Sequence, residues 1–349
     1  MSEKLDFGRP TIALRPERLR LSWRMDRRSL VVVLILLALT FIIGVIGLGL
    51  GSYQLTPGQV LGALLGNAES AKINMLVVEW RLPRLLFAVV CGAALAMSGA
   101  MFQSLTRNPL GSPDVIGFSA GSYSGALVVM LVIGSGSYTA IAAGSLIGGA
   151  VTALVVYLLA YRGGVQGFRL IIIGIGIGAL LGSVNSYLML IVDVKEAMVV
   201  ASWGAGSLNA LGFTQFWPMF IAFLVLAPLA FGLGGGVGQL ELGDDAAQAL
   251  GSRVERTRLT ATLVGVALTA MVTAAAGPIS FIALAAPQIA RRLTRSSGVE
   301  LLPSAAVGAL LLTGADIFAQ QIGVPVGLVT VSIGGVYLIW LLLREYKNK

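Results

Sequence analysis

"VVEWRLPRLLFAVVCGAALAMSGAMFQSLTRNPLGSPD", residues 77–114, decides how the rest of the chain is read. Between Arg84 and Arg107 no residue is charged. A hydrocarbon core about 30 Å thick needs roughly 20 apolar residues per helix, so this run is long enough to cross one. Two arginines, Arg81 and Arg84, stand astride a proline at its head. Either they mark the edge of a membrane, or something acidic docks there.

Comparable runs recur along all 349 residues, and the mean hydropathy is +0.89 with only 11% of residues charged. A soluble domain of this length would need far more charge to cover its surface. The expected fold class is therefore an all-α polytopic membrane protein. Spans are predicted near 30–51, 84–106, 113–134, 138–161, 168–192, 214–233, 258–277, 281–292, 300–319 and 325–343, about ten in all. The run at 281–292 is short and is interrupted by Gly277-Pro278 and Pro287. It reads as a half-helix buried among its neighbours, because broken backbone is tolerated only away from lipid.

Ten spans place both termini on one side, and the basic residues say which. With cytoplasmic termini, the tail at 1–28 contributes eight lysines and arginines, and the other inside segments bring the count to twenty. The outside segments hold four, Lys72, Arg81, Arg84 and Lys195. That asymmetry follows the positive-inside rule and predicts a multi-pass membrane protein with both termini cytoplasmic. Arg81 and Arg84 make up half of the outside set, so the same rule does not account for them. The net charge of +8 is explained by orientation, and no nucleic acid is expected as a partner.

The chemistry that is missing narrows the function. Histidine is absent and Cys91 is the single cysteine, so metal centres, haem ligation and disulfides are not expected. No phosphate-cradling G-x-x-x-x-G-K-[ST] stretch occurs, and "GIGIG" at 174–178 lies inside an apolar run, where it reads as helix packing. Asp193 and Asp316 are expected at the outer ends of spans, where water reaches them. Neither an ion-coupled transporter, which keeps ionisable groups near the midplane, nor an enzyme finds its residues here. Energy for any uphill transport must come from a partner. The segment that could receive it is "LELGDDAAQALGSRVERTR", residues 240–258, the longest polar stretch between spans. Asp244 and Asp245 suit the positive end of a short helix, and Gly251 suits its stop.

"RLPR" before a span, "GAALAMSGAMFQSLTRNPLGSPDVIGFSAG" after it, "LELGDDAAQALG", "AGPISFIALAAPQIARRL" and the terminal "GVPVGLVTVSIGGVYLIWLLL" resemble the FecCD-type permeases. These are the membrane subunits of ABC importers for iron–siderophores, haem and cobalamin. The resemblance runs from about residue 30 to the C-terminus. It implies a type II importer fold of about ten helices at 29–349, preceded by a basic cytoplasmic tail at 1–28. It also implies a second permease subunit (expected to be non-identical), two ATPase subunits and an extracytoplasmic siderophore-binding protein. This chain is expected to be non-catalytic and to bind no cofactor, with ATP and Mg at the ATPase subunits.

The resemblance assigns roles to residues as well. Arg81 and Arg84 match outer-face arginines that meet acids on the binding protein. Gln320 falls where a further basic residue stands in the cobalamin permease, so docking there would rely on hydrogen bonds. Gly243, Ala247, Leu250 and Gly251 match the segment that contacts the ATPase, with Asp244, Asp245 and Gln248 available for polar contacts. Asn108, Pro109, Ser112 and Pro113 match a cytoplasmic turn whose expected role is structural, with a contribution to gating as the alternative. The motifs look closest to permeases of ferric enterobactin or a related catecholate. Haem, cobalamin or a hydroxamate siderophore is the alternative cargo, and an ion-coupled secondary transporter the alternative class.

Overall fold

The computed structural model describes residues 11–14, 23–51, 53–161, 167–298 and 300–347. The chain enters through an antiparallel hairpin, β1 (Thr11–Leu14) and β2 (Trp23–Asp26), that the all-α expectation lacks. Most of the basic tail, including Lys4, Arg9, Arg15, Arg18 and Arg20, lies outside the described residues. Asp26 then caps α1 (Arg27–Gly49) by accepting from the Arg28 backbone N–H.

After α1 come α2 (Pro57–Leu64) and α3 (Ala71–Asn74), which passes through a π-helical stretch at Met75–Arg81 straight into α4 (Leu82–Thr106). The helical run is thus 36 residues long, and Arg81 and Arg84 lie inside it rather than at its start. Pro83 sits in the first turn of α4, where its missing N–H is best tolerated. Measured back from Thr106 at 1.5 Å per residue, Arg84 lies about 33 Å away, close to one bilayer core. The helix therefore projects beyond the apolar span, and the arginines sit near its boundary.

The following helices are α5 (Phe118–Leu127), prolonged by a π turn at Val128–Val132, α6 (Tyr138–Ala160), α7 (Gly167–Leu190) and α8 (Val194–Gly204). Then come α9 (Phe213–Glu241), α10 (Asp244–Ala249), α11 (Val254–Ala276), α12 (Ile282–Thr294), α13 (Leu301–Ile322) and α14 (Val326–Lys347). Among the described residues, seven helices are long and apolar enough to cross a membrane, with shorter apolar helices at Phe118–Val132 and Val326–Ile339. The span expected from 113 begins only at Phe118. The one expected to end at 233 continues to Glu241, so Leu240 and Glu241 close a long helix instead of opening the polar segment.

α4, α11 and α13 form the interior of the bundle and are buried along most of their length. Small residues permit this, because in lipid helices associate through close backbone contact. Gly92 of α4 meets the backbone of Gly308 on α13, and Gly99 meets the backbone of Ala283 on α12. The half-helix expectation holds for α12, which is short and mostly buried. Pro287 does not interrupt it. A proline leaves the carbonyl four residues earlier without its helical donor. Here that carbonyl belongs to Ala283, and it lies against Gly99, where a side chain would collide with it. The break sits earlier, at Gly277 (φ 73°) and Phe281 (φ 70°). Gln103 of α4 donates to the Leu284 carbonyl at 2.9 Å and accepts from Gln288, so the half-helix is also tied by side chains.

Gly99→Val is expected to cost about 1–3 kcal/mol through overpacking, because a backbone oxygen cannot move aside as a side chain could. A thermal unfolding scan in detergent checks this. A melting temperature matching wild type would rule out the close α4–α12 contact.

Candidate functional site

At one end of the bundle, residues far apart in sequence converge on Asp316. Arg84 donates through Nε and Nη2 to the two carboxylate oxygens of Asp316, both at 2.8 Å. Its remaining nitrogen, Nη1, donates to Asn209 Oδ1. Gln320, one turn along α13, donates to Asp316 Oδ2 at 3.0 Å. The fork-to-fork geometry is the strong form of such a pair. Asp316 was expected where water reaches it, but it is 2% exposed. The sequence reading did not anticipate this pair. The partners are 232 positions apart, so no local pattern reveals them.

Arg81 has a different task. Its two terminal nitrogens donate to the carbonyls of Leu48 and Tyr53, at 2.7 and 2.6 Å. Leu48 belongs to the last turn of α1, whose carbonyls lack helical donors. The arginine satisfies one of them and holds the loop that follows. Arg81, Arg84 and Gln320 also line one open concavity of about 350 Å³ together with Tyr53, Trp80 and Asn209. Two guanidinium groups face one carboxylate in this cluster, which leaves a single net positive charge. Lys72 lies nearby, its ammonium 4.5 Å from the Tyr53 ring centre.

The opposite end carries the polar segment. α10 begins after Gly243 (φ 109°) with Asp244 and Asp245 in its first turn, and ends at Leu250 before Gly251 (φ 84°). Both glycines occupy backbone conformations that a side chain disfavours. Ala247 is fully buried beneath the helix. Asp245, Gln248 and Leu250 are exposed, as is Leu242 just before the helix.

Asp244 is half-exposed but paired. It accepts twice from Arg258 Nη2 of α11, at 2.9 Å each, and pairs with Arg107. Arg107 stands in the left-handed conformation just past α4 (φ 50°), and its Nε donates to the Leu240 carbonyl at 2.8 Å. Alongside, Ser104 of α4 donates to Glu241 at 2.6 Å. Burial pushes the Asp244 pKa up, but Arg258 and then Arg107 outweigh it and hold the carboxyl below its ordinary value. The sequence reading missed Arg107 and Arg258, because their partner is fixed only by how three helices meet.

The turn after α4 is compact and hydrogen-bonded. Asn108 Oδ1 accepts from the Leu110 N–H at 2.8 Å, and Ser112 Oγ from Val115 N–H at 3.3 Å. Pro109 follows Asn108 directly, whereas Ser112 and Pro113 are buried. Ser119 donates to Asp114 Oδ1 at 2.6 Å, another carboxylate that the sequence reading passed over. Gly174 and Gly178 of α7 lie against Ile116 and Gly117, so two of the three glycines of "GIGIG" serve packing as expected. A side chain added at Gly176 or Gly182, on the open side of α7, would meet nothing within 4 Å among the described residues. Cys91 is buried against Met219, and no cluster of potential metal ligands occurs among the described residues.

Known proteins resemble this chain over almost its whole length. The ferric enterobactin transport system permease protein FepG of Escherichia coli is 49% identical, the match covering 93% of this chain and 99% of that protein. The Fe(3+)-citrate import system permease protein YfmE of Bacillus subtilis is 34% identical, over 93% and 98%. A solved chain of a metal-chelate type ABC transporter in an inward-facing conformation superposes with a TM-score of 0.78 at 27% identity, covering 90% of this chain and 99% of that one. The FecCD transport family pattern matches residues 36–344. A bundle of apolar helices with a bracketed arginine pair at one end and a short polar helix at the other is thus a multi-pass permease, and the chain belongs to the FecCD transport family.

Proposed function

We propose that this chain is one permease subunit of an ABC importer that carries a ferric siderophore, ferric enterobactin or a related catecholate, across the bacterial inner membrane. The observation that carries this reading is the 49% identity with the enterobactin permease, maintained over nearly the full length of both chains. About ten membrane passages with both termini cytoplasmic fit the charge asymmetry. On that orientation the Arg84–Asp316 end faces outward and α10 faces the cytoplasm.

The chain itself supplies no covalent chemistry and binds no cofactor. Two ATPase subunits, with ATP and Mg, engage the exposed surface of Asp245, Gln248 and Leu250 at α10. Asp244 links that surface to α4 and α11. Through Arg107 the same linkage reaches the turn containing Asn108, Pro109, Ser112 and Pro113, which gates the cavity. A second, non-identical permease subunit closes the pathway. The open side of α7, with Gly176 and Gly182, suits a close helix contact.

A siderophore-binding protein docks at the outward end. Arg81 keeps the uncompensated charge there, while Arg84 and Gln320 are held by Asp316. Charges at such a rim steer and orient encounter more than they add affinity.

The test is reconstitution of the chain with its neighbouring permease, ATPase and binding protein in liposomes. ATP-dependent uptake of labelled ferric enterobactin, well above that of a ferric hydroxamate, haem or cobalamin, is the expected result. Preferential uptake of another cargo would overturn the catecholate assignment. No ATP-dependent uptake from an assembled complex would overturn the importer itself.

A further inference from the structure

At the same end as α10, the start of α1 and the end of α12 enclose an open cavity of about 690 Å³. Arg27, Arg28 and Arg295 line it together with Asp26. Val31 and Val32 line it as well. Arg28 is fixed in place, since its Nε donates to the Leu293 carbonyl at 2.9 Å. The cavity is therefore built between two helices rather than on a loose tail. The start of α1, a helix of 23 residues, adds the positive end of its dipole.

Below the arginines α1 turns an apolar face outward. Val31, Leu34 and Ile35 are exposed in succession, in a helix composed for the membrane. A cavity lined by three arginines and continuous with an apolar flank calls for an occupant with both a charged and an apolar part. Free phosphate would use only the first. Basic pockets between transmembrane helices at the membrane boundary receive acidic lipid head groups.

We infer that this cavity is a binding site for the head group of an anionic phospholipid, its phosphate against Arg27, Arg28 and Arg295 and its acyl chains along Val31, Leu34 and Ile35. The site lies away from the Asp316 cluster and from the surface of α10, and the inference does not depend on the cargo. A lipid held there pins α1 to the end of α12, the half-helix that packs on α4.

The experiment uses the full chain in detergent, with phosphatidylglycerol or phosphatidylcholine added and bound lipid read by native mass spectrometry. Phosphatidylglycerol is expected to be retained preferentially. Arg27→Gln with Arg295→Gln leaves the Arg28–Leu293 bond in place and is expected to weaken retention roughly 30-fold, at about five-fold per arginine removed. Lys72→Gln, at the other end, is expected to leave it unchanged. Equal retention of both lipids, or an unaltered preference in the double variant, overturns the site. Competition by inorganic phosphate at equal concentration identifies a soluble anion as the occupant and overturns the lipid. Should the double variant aggregate, wild-type protein in 0.5 M salt serves instead, and retention that ignores salt counts against the site.

Discussion

Arg84→Glu is expected to destabilise the folded protein by about 3–5 kcal/mol and to abolish transport. The side chains of Arg84 and Asp316 are 16% and 3% exposed, so removing the cation leaves a carboxylate buried without its partner. Glutamate makes matters worse by placing a second carboxylate beside it. Exchanging the pair, Arg84→Asp with Asp316→Arg, should recover part of the lost stability, since the charges again compensate. Thermal unfolding in detergent separates the outcomes. A single variant that melts with wild type would show that the pair does not hold α4 to α13.

This expectation changes how docking must be tested. Replacing both Arg81 and Arg84 with glutamate would stop transport even if neither touched the binding protein. Arg81→Gln is the cleaner variant, because it removes the uncompensated charge and keeps Arg84 on Asp316. Slower association with the binding protein, most marked at low salt, is expected for it.

Asp244→Arg is expected to uncouple ATP hydrolysis from uptake, reducing transport at least ten-fold while the ATPase still binds. Asp244 joins Arg107, just past the end of α4, to Arg258 of α11, which is only 4% exposed. Reversing its charge sets three cations together and frees α10 from α4 and α11. The exposed contact surface of Asp245, Gln248 and Leu250 is left in place. Loss of ATPase binding would instead make Asp244 a direct contact, and normal uptake would remove it from the coupling path. The pH dependence has a fixed sign. Because the folded pKa is depressed, the pair's contribution is complete above about pH 4, the ordinary aspartate value, and disappears as the pH falls through the depressed pKa.

The features legible in the sequence are those set by a residue and its near neighbours. The uncharged run between Arg84 and Arg107 announces a membrane helix, and Asp244, Asp245 and Gly251 announce a short helix and its stop. The small hairpin at β1 and β2, the helical stretch from Ala71 to Arg81 and the short helix α8 were not anticipated. They lie at or beyond the apolar runs, where hydropathy no longer separates helix from loop. Pro287 misled for a related reason. A proline usually ends a helix, but the close approach of Gly99 accommodates the carbonyl that it leaves unpaired.

By itself the sequence determined that the chain is a helical membrane protein without metal-site or nucleotide-loop motifs, and where its polar segment lies. Each of those conclusions follows from composition or from spacing within a few turns. Only the tertiary structure decided that Arg84 belongs to Asp316, that Asp244 pairs with Arg107 and Arg258, and that three arginines share a cavity at the start of α1. Those groupings unite residues from different helices. A charge becomes a bracket, an anchor or a binding site according to what packing brings within hydrogen-bonding distance.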